Sequence, residues 1–314
     1  MKRTFLETIR YGIKTMTYYI SHPAFSFAYA KRFNDSFSQK DLECCVTNIY
    51  EFKLGKKLDL NNVKTFNEKM NWLKCFYHDD RMTECADKVT APGYFKSKTG
   101  LDDRYIVKNI GVYANINEID FDKLPKSFVF KLNCGSAKQI IVKDKSKMNI
   151  GEITSELSSW NNRKANHYYD LFEYGYKNIT PRIVCEEFII YDYKLEFFCF
   201  NGKPMYFWTV FNDKTDDVCA DFYDAQTKKK IELKHGYPNS DKLIDIPEYY
   251  NEMYKIASDL SKDFPFVRID FYKTSDSFKF SEMTFYHWGG IMSFDPDSMD
   301  LEFGKNLVLP NKMI

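Results

Sequence analysis

Val267-Arg268-Ile269-Asp270-Phe271-Tyr272 is followed, after a polar turn, by Phe280-Ser281-Glu282-Met283-Thr284-Phe285. Apolar and polar side chains alternate in both runs, which is the period of a strand with one buried face. Side by side, two such strands project Arg268, Asp270, Glu282 and Thr284 from one face, so two carboxylates and an arginine converge. A hard cation such as Mg²⁺ is held by one or two protein carboxylates together with substrate phosphates, and a guanidinium beside it neutralises phosphoryl oxygens. The pattern points to a nucleotide-dependent enzyme. The competing reading is an ordinary hairpin with solvated charges on its outer face.

Outward from this pair, the 314 residues are enough for one layered domain or two closely packed lobes. Forty-five basic residues against 44 acidic leave the chain near neutral, which argues against broad nucleic-acid binding. The 28 Phe and 23 Tyr suit strands and a large core. None of the eight cysteines forms a C-x-x-C pair or sits at zinc-finger spacing with histidine, so reduced, mostly buried thiols are expected. The first residues lack the apolar core of a signal peptide, and no run approaches a membrane span. A cytoplasmic enzyme is the expectation.

Residues 4 to 33 read as a helix with Phe5, Ile9, Ile13 and Met16 at helical spacing and Arg3, Arg10 and Lys14 between them, broken at His22-Pro23. A basic amphipathic helix can lie on the inner face of a membrane; docking on the protein itself is the commoner outcome. A second helix is expected over residues 39 to 52, ending near Gly55, and a third opens on the capping box Thr65-Phe66-Asn67-Glu68. Another includes Asp87-Lys88, with Pro92-Gly93 interrupting it. Strands at 127–132 and 139–143 flank the small-residue loop 133–138, and a helix covers 152–169. Strands at 182–190, 195–200 and 204–211 follow, the last two joined by Asn201-Gly202, a strong hairpin signal. Residues 213–241 read as a charged, mobile excursion around one short strand, and 248–262 as a helix.

In order along the chain, Lys64-Thr65-Phe66-Asn67-Glu68-Lys69, Asp87-Lys88, Leu124-Pro125 before Phe128-Val129-Phe130-Lys131, Phe198-Cys199-Phe200-Asn201-Gly202-Lys203-Pro204, Phe264-Pro265-Phe266-Val267-Arg268-Ile269-Asp270 and Glu282-Met283-Thr284-Phe285 resemble the TupA-like (teichuronopeptide biosynthesis) branch of the ATP-grasp superfamily. The resemblance implies an α+β, ATP-grasp fold with two α+β lobes clasping a nucleotide after an N-terminal helical segment. The corresponding division is 1–60 helical, 61–187 first lobe and 188–314 second lobe with the metal site. It also implies ATP and Mg²⁺ as cofactors. The implied chemistry is amide formation between a carboxylate and an amine through an acyl phosphate, in capsular or other surface-polysaccharide biosynthesis. The partners would be a small-molecule or glycan-linked carboxylate and an amine.

By that resemblance Lys131 and Lys88 contact nucleotide phosphates, and Gly135 and Ser136 belong to the phosphate-covering loop, where Ala137 and Lys138 replace further glycines. Glu186, Glu187, Phe188 and Ile189 form the hinge against the adenine edge, with only one of the two glutamates facing the nucleotide. Lys194 and Glu196 lie near the ribose, although Asp192-Tyr193-Lys194 stands two residues early for the branch. Asp270, Glu282 and Thr284 are the implied metal ligands, Arg268 steadies the acyl phosphate, and His287, in His287-Trp288-Gly289-Gly290, stands at the acceptor side. For His287 a structural imidazole is an equal reading. Three other functions remain open: a glycosyltransferase using a nucleotide sugar, for which Asp295-Pro296-Asp297 is a poor metal motif; a non-catalytic ATP-binding protein; and a phosphorylating enzyme that makes no amide.

Overall fold

The computed structural model describes residues 5–314 except positions 137, 161, 242 and 243, so Thr4 and Arg3 of the first helix and Ala137 of the small-residue loop lie outside the described residues. Three helices come first: α1 (Phe5–Ser21), α2 (Pro23–Ala30) and α3 (Gln39–Leu54). Pro23 separates α1 from α2 because it has no N–H for the preceding turn and is suited to begin a new helix. α3 ends where Gly55 turns left-handed, with φ 68°. α4 (Phe66–Phe76) opens on the expected box: Thr65 Oγ1 accepts from Glu68 N at 3.3 Å, and Glu68 Oε2 accepts from Thr65 N at 2.9 Å. α5 (Arg81–Ala86) and α6 (Ala91–Thr99) correct the sequence reading. Asp87 and Lys88 lie just past α5 rather than inside a helix, and Pro92 sits in the first turn of α6, where a missing N–H breaks no bond.

The first sheet contains β1 (Asn109–Tyr113), β2 (Phe128–Leu132), β3 (Gln139–Val142) and β4 (Ile183–Glu187) in the order β1-β4-β2-β3, all antiparallel. Between β3 and β4 the expected single helix is two, α7 (Ile150–Trp160) and α8 (Tyr168–Leu171). Asn166 explains the break. Its buried side chain donates to the carbonyls of Tyr176 at 2.7 Å and Ile179 at 3.0 Å and accepts from Tyr168 N at 2.9 Å, so it competes with the helix for backbone groups.

The second sheet is built from β5 (Tyr193–Phe200), β6 (Lys203–Phe211), β7 (Cys219–Asp224) and β8 (Lys230–Ile231). After the short β9 (Lys234–His235) and α9 (Tyr250–Ser261) come β10 (Phe266–Lys273) and β11 (Phe278–Thr284), giving the order β11-β10-β5-β6-β7-β8. β12 (Phe294–Asp295) pairs with β9, and α10 (Ser298–Asn306) follows. The β5–β6 hairpin turns at Asn201 and Gly202, both at positive φ; a Cβ on Gly202 would stand 3.1 Å from Lys262 Cα. α9 packs against β5, β6 and β10 through Tyr250, Met253, Ala257 and Leu260.

The excursion at 213–241 is more ordered than its charge suggests. β7 is paired on both sides, and the fully buried Asp221 carboxylate accepts from Ser240 N at 3.1 Å and lies 2.9 Å from Lys230 Nζ. The eight cysteines are free thiols, six of them buried. No helix among the described residues is long and apolar enough to cross a membrane.

Candidate active site

Strand register places Glu282 of β11, Asp270 of β10, Glu196 of β5 and Trp208 of β6 in one row, each directly opposite the next. Opposed residues project from the same face, so three carboxylates and an indole stand in line. Arg268, two positions before Asp270, lies on that face and binds the row together. Its Nε and Nη2 donate to the two oxygens of Asp270 at 2.7 and 2.5 Å, and Glu196 Oε2 is 2.9 Å from Nε. Trp208 Nε1 donates to the same Glu196 oxygen at 2.6 Å.

The two carboxylates that look equivalent in the sequence occupy different environments. Asp270 is fully buried, with both oxygens taken by Arg268, whereas Glu282 opens on a cleft with its side chain about a third exposed, 32%. Burial pushes the Asp270 carboxyl up, Arg268 pulls it back, and Glu196 and Glu282 push it up again, leaving it well above the usual range. Burial also works against ionised Glu282, but Lys88, Lys194, Arg268 and Lys131 together hold its pKa down at about 2.

The cleft has a volume of about 380 Å³, and its wall includes Lys88, Lys131, Gly135, Ser136, Lys138, Lys194, Glu196, Arg268, Glu282 and Thr284. A second cavity of about 500 Å³, lined by Glu186, Glu187, Phe188 and Ile189, shares Lys131, Gln139, Asp213 and Tyr272 with it. Lys131 therefore stands where the two spaces meet. Its Nζ lies 2.5 Å from Glu186 Oε2, and although burial lowers its pKa, Tyr272 and Glu186 more than restore it. Lys194 pairs with Asp213 at 2.8 Å, and Lys88 donates to Gly135 O at 2.7 Å and lies 3.9 Å from Glu282. The adjacent glutamates of β4 part as strand neighbours must: Glu186 turns to Lys131, while Glu187 reaches Lys279 at 3.2 Å and accepts from Lys108 N at 3.1 Å. Beyond Glu187 the chain leaves the sheet, and Phe188 and Ile189 line the second cavity outside the strand ladder.

His287 is completely buried behind Arg268 rather than in the cleft wall. Arg268 Nη1 lies 2.7 Å from His287 Nδ1, and because a guanidinium only donates, that nitrogen accepts and the ring is neutral. Burial, Arg268 and His235 all push the His287 pKa well below its ordinary value. Thr284 lies beside the same guanidinium, its Oγ1 3.4 Å from Nη2.

The turn after His287 forms another wall of the cleft through Trp288 and Gly289. Trp288, Gly289 and Gly290 all have positive φ, between 48 and 62°. α4 holds this turn by three side chains on one face: Lys74 Nζ donates to Gly289 O at 2.6 Å, Asn71 Nδ2 to Gly290 O at 2.7 Å and Asn67 Nδ2 to Met292 O at 2.8 Å. Burial lowers the Lys74 pKa to about 8. Asn67 is itself held by α10, whose Asp300 accepts from Asn67 N at 2.8 Å and from Nδ2 at 3.0 Å.

Sequence reasoning missed several cleft residues. Trp208 was findable, because pairing the strands about Asn201-Gly202 sets it opposite Glu196. Asp213 was hidden in the presumed excursion. His167 and Glu173, 3.4 Å apart in the cleft wall, carried no signal. Burial alone would lower the His167 pKa; Glu173 and Asp170 raise it above its ordinary value. Neither aspartate of Asp295-Pro296-Asp297 lines the cleft: Asp295 pairs in β12, and Asp297 is exposed, 2.5 Å from Lys56.

These residues suit a magnesium nucleotide. Among the described residues no three acidic, His or Cys side chains converge on one point, so a cation here would rest on Glu282, with the Thr284 hydroxyl nearby, and on phosphate oxygens. Asp270 is turned to Arg268 and does not line the cleft. The cationic side chains around Glu282 match the charge of a polyphosphate.

The family described as TupA-like ATPgrasp matches residues 68–308. No curated protein matches. Among solved structures, D-alanine–D-alanine ligase from Bacillus anthracis is 17% identical, with 64% of this chain covering 57% of that one at a TM-score of 0.39. N5-carboxyaminoimidazole synthetase from Staphylococcus aureus, complexed with ADP, is 11% identical, with 74% and 54% covered at 0.38. The ATP-grasp ligase PsnB, complexed with a minimal precursor, is 9% identical, with 66% and 55% covered at 0.38. The matched part thus spans little more than half the length of each.

Proposed function

The chain belongs to the TupA-like ATP-grasp family, and we propose that it is an ATP-dependent ligase that joins a carboxylate to an amine, acting in surface-polysaccharide assembly. One observation carries the reading: an ionised Glu282 stands among Lys88, Lys131, Lys194 and Arg268, in a cleft that meets a second cavity at Lys131. Bound magnesium ATP would supply the γ-phosphoryl group that activates the carboxylate.

The chain's own residues then have distinct tasks. The hinge at Phe188 and Ile189 would receive the base in the second cavity, with Lys131 between it and the phosphates. Lys88 and Lys194 would neutralise phosphate oxygens, and Glu282 would hold the magnesium ion. Arg268, held by Asp270, Glu196 and His287, keeps a fixed positive charge where an oxyanion develops, with no reorganisation needed during reaction. His167, with Glu173 3.4 Å behind it, would take the proton from the attacking amine when its ring is neutral. The polysaccharide setting rests on family membership alone.

The deciding experiment is thermal denaturation with Mg²⁺ and either ATP or uridine and guanosine nucleotide sugars. A ligand at a hundred times its Kd stabilises by about 2.7 kcal/mol, a shift of a few degrees for a chain of this size. Stabilisation by magnesium ATP, followed by ADP release on adding a carboxylate and an amine, is expected. Selective stabilisation by a nucleotide sugar would overturn the ligase reading.

A further inference from the structure

We propose that α1 is a docking surface for an anionic lipid bilayer. The helix is turned opposite to an ordinary surface helix. Its aromatic side packs inward: Tyr11 and Tyr18 lie edge-on to Phe52 of α3 at 5.8 and 4.9 Å, and the Tyr18 hydroxyl donates to Asn48 O at 3.1 Å. Its aliphatic side faces solvent. Ile9, Ile13, Met16 and Ile20 are 43, 61, 67 and 70% exposed. Spacings of four, three and four residues put them in one straight row along the helix. α2 folds back on α1, with Ser26 Oγ donating to Tyr19 O at 2.6 Å, and adds the exposed Phe27.

The choice of a bilayer rests on charge and size. Arg10 is exposed on the flank of the row, and Lys14, further round with its ammonium 5.0 Å from the Phe52 ring centre, is exposed as well, so against the single Glu7 the helix carries two cations beside an apolar side that can be immersed. A single row of four side chains presents on the order of a few hundred Å², short of the roughly 800 Å² per partner buried in a stable dimer. The position also has a use. Lys53 of α3 donates to the Tyr11 hydroxyl at 2.6 Å and lines the cleft, so α1 is seated beside the cleft, and docking holds that opening near the lipid surface.

The test is co-sedimentation of the full chain with vesicles of phosphatidylcholine alone or mixed with phosphatidylglycerol, with no nucleotide present, so its outcome is independent of the ligase reading. Binding to the mixed vesicles that weakens with salt is expected. Ile13→Asp/Met16→Asp should lower partitioning about tenfold or more, and Arg10→Glu/Lys14→Glu should remove the preference for the anionic lipid, about fivefold per charge. All four positions are exposed, so unchanged circular dichroism and melting confirm that the variants fold. Absence of vesicle binding, or equal binding by the Ile13→Asp/Met16→Asp variant, overturns the proposal. So does a wild-type dimer in light scattering that Ile13→Asp dissociates, because a second copy would then cover the row.

Discussion

Asp270 and Glu282 face each other across adjacent strands, yet one carboxylate is sealed against Arg268 and the other opens on the cleft. Equivalent positions in a ladder thus differ: one clamps an arginine and the other faces the cleft. Burial separates them, since Asp270 is sealed and turned to Arg268 while about a third of the Glu282 side chain is open.

Glu282→Gln keeps the shape and removes the charge. We expect magnesium-dependent ATP turnover to fall about a hundredfold or more, with a lower melting temperature as well, because Lys88, Lys131, Lys194 and Arg268 lose the charge they hold ionised. Steady-state ADP release beside a melting curve checks both halves; near-normal turnover would remove Glu282 from the metal site.

Lys131 and Glu186 form a buried pair, so losing one partner strands the other. Lys131→Met should cost about 3 kcal/mol of stability and weaken ATP binding. Lys131→Met/Glu186→Gln should recover most of the stability and none of the nucleotide affinity. Urea unfolding and ATP titration separate the two effects, and recovered affinity in the double variant would show that Lys131 does not touch phosphate.

At Gly290, φ is +62°, and an added Cβ would lie 2.6 Å from Met70 Cβ and 2.9 Å from Asn71 Nδ2. Gly290→Ala should therefore cost about 2 kcal/mol or more and lower kcat by shifting Trp288 and Gly289. Gly12→Ala, in the middle of α1 with open space around it, is the contrast and should stabilise by about 0.5–1 kcal/mol. Equal melting temperatures for the two variants would contradict the packing described.

His235 is 2% exposed, with Nδ1 bonded to Ser293 O at 3.0 Å, and burial pushes its pKa down to about 4. The unfolded chain takes up this proton near pH 6.5 and the folded chain does not, so the contribution to stability is present at neutral pH and is lost as pH falls from about 6.5 toward 4. At pH 5 the loss is about 2 kcal/mol. Wild type should lose that much more stability than His235→Phe between pH 7 and 5; parallel profiles would show that the ring is protonated in the fold.

Much of this arrangement was legible in the sequence. Alternation gave β10 and β11 and their common face, Asn201-Gly202 gave the hairpin, and Thr65 with Glu68 gave the start of α4. Local rules failed where distant residues decide. Asn166 breaks the expected helix through carbonyls of Tyr176 and Ile179 that only the folded chain brings near. Asp221 orders a stretch whose charges read as solvated. α1 shows the limit most plainly: its periodicity identified a helix but could not say which side faces inward. Cleft residues came through where a strand period fixed them, as at Arg268 and Glu282. His167 and Glu173 are joined by neither period nor motif and could not be read.

The turn that walls the cleft is gripped by α4, and α4 is gripped in turn at Asn67 by a helix some 230 residues further along the chain. Each sheet is held by its own ladder, whereas the Met292 carbonyl depends on an Asn67 that Asp300 fixes from α10. Loosening α10 should therefore slacken the cleft wall while both sheets persist, so the molecule would lose its grip on a ligand before it loses its fold.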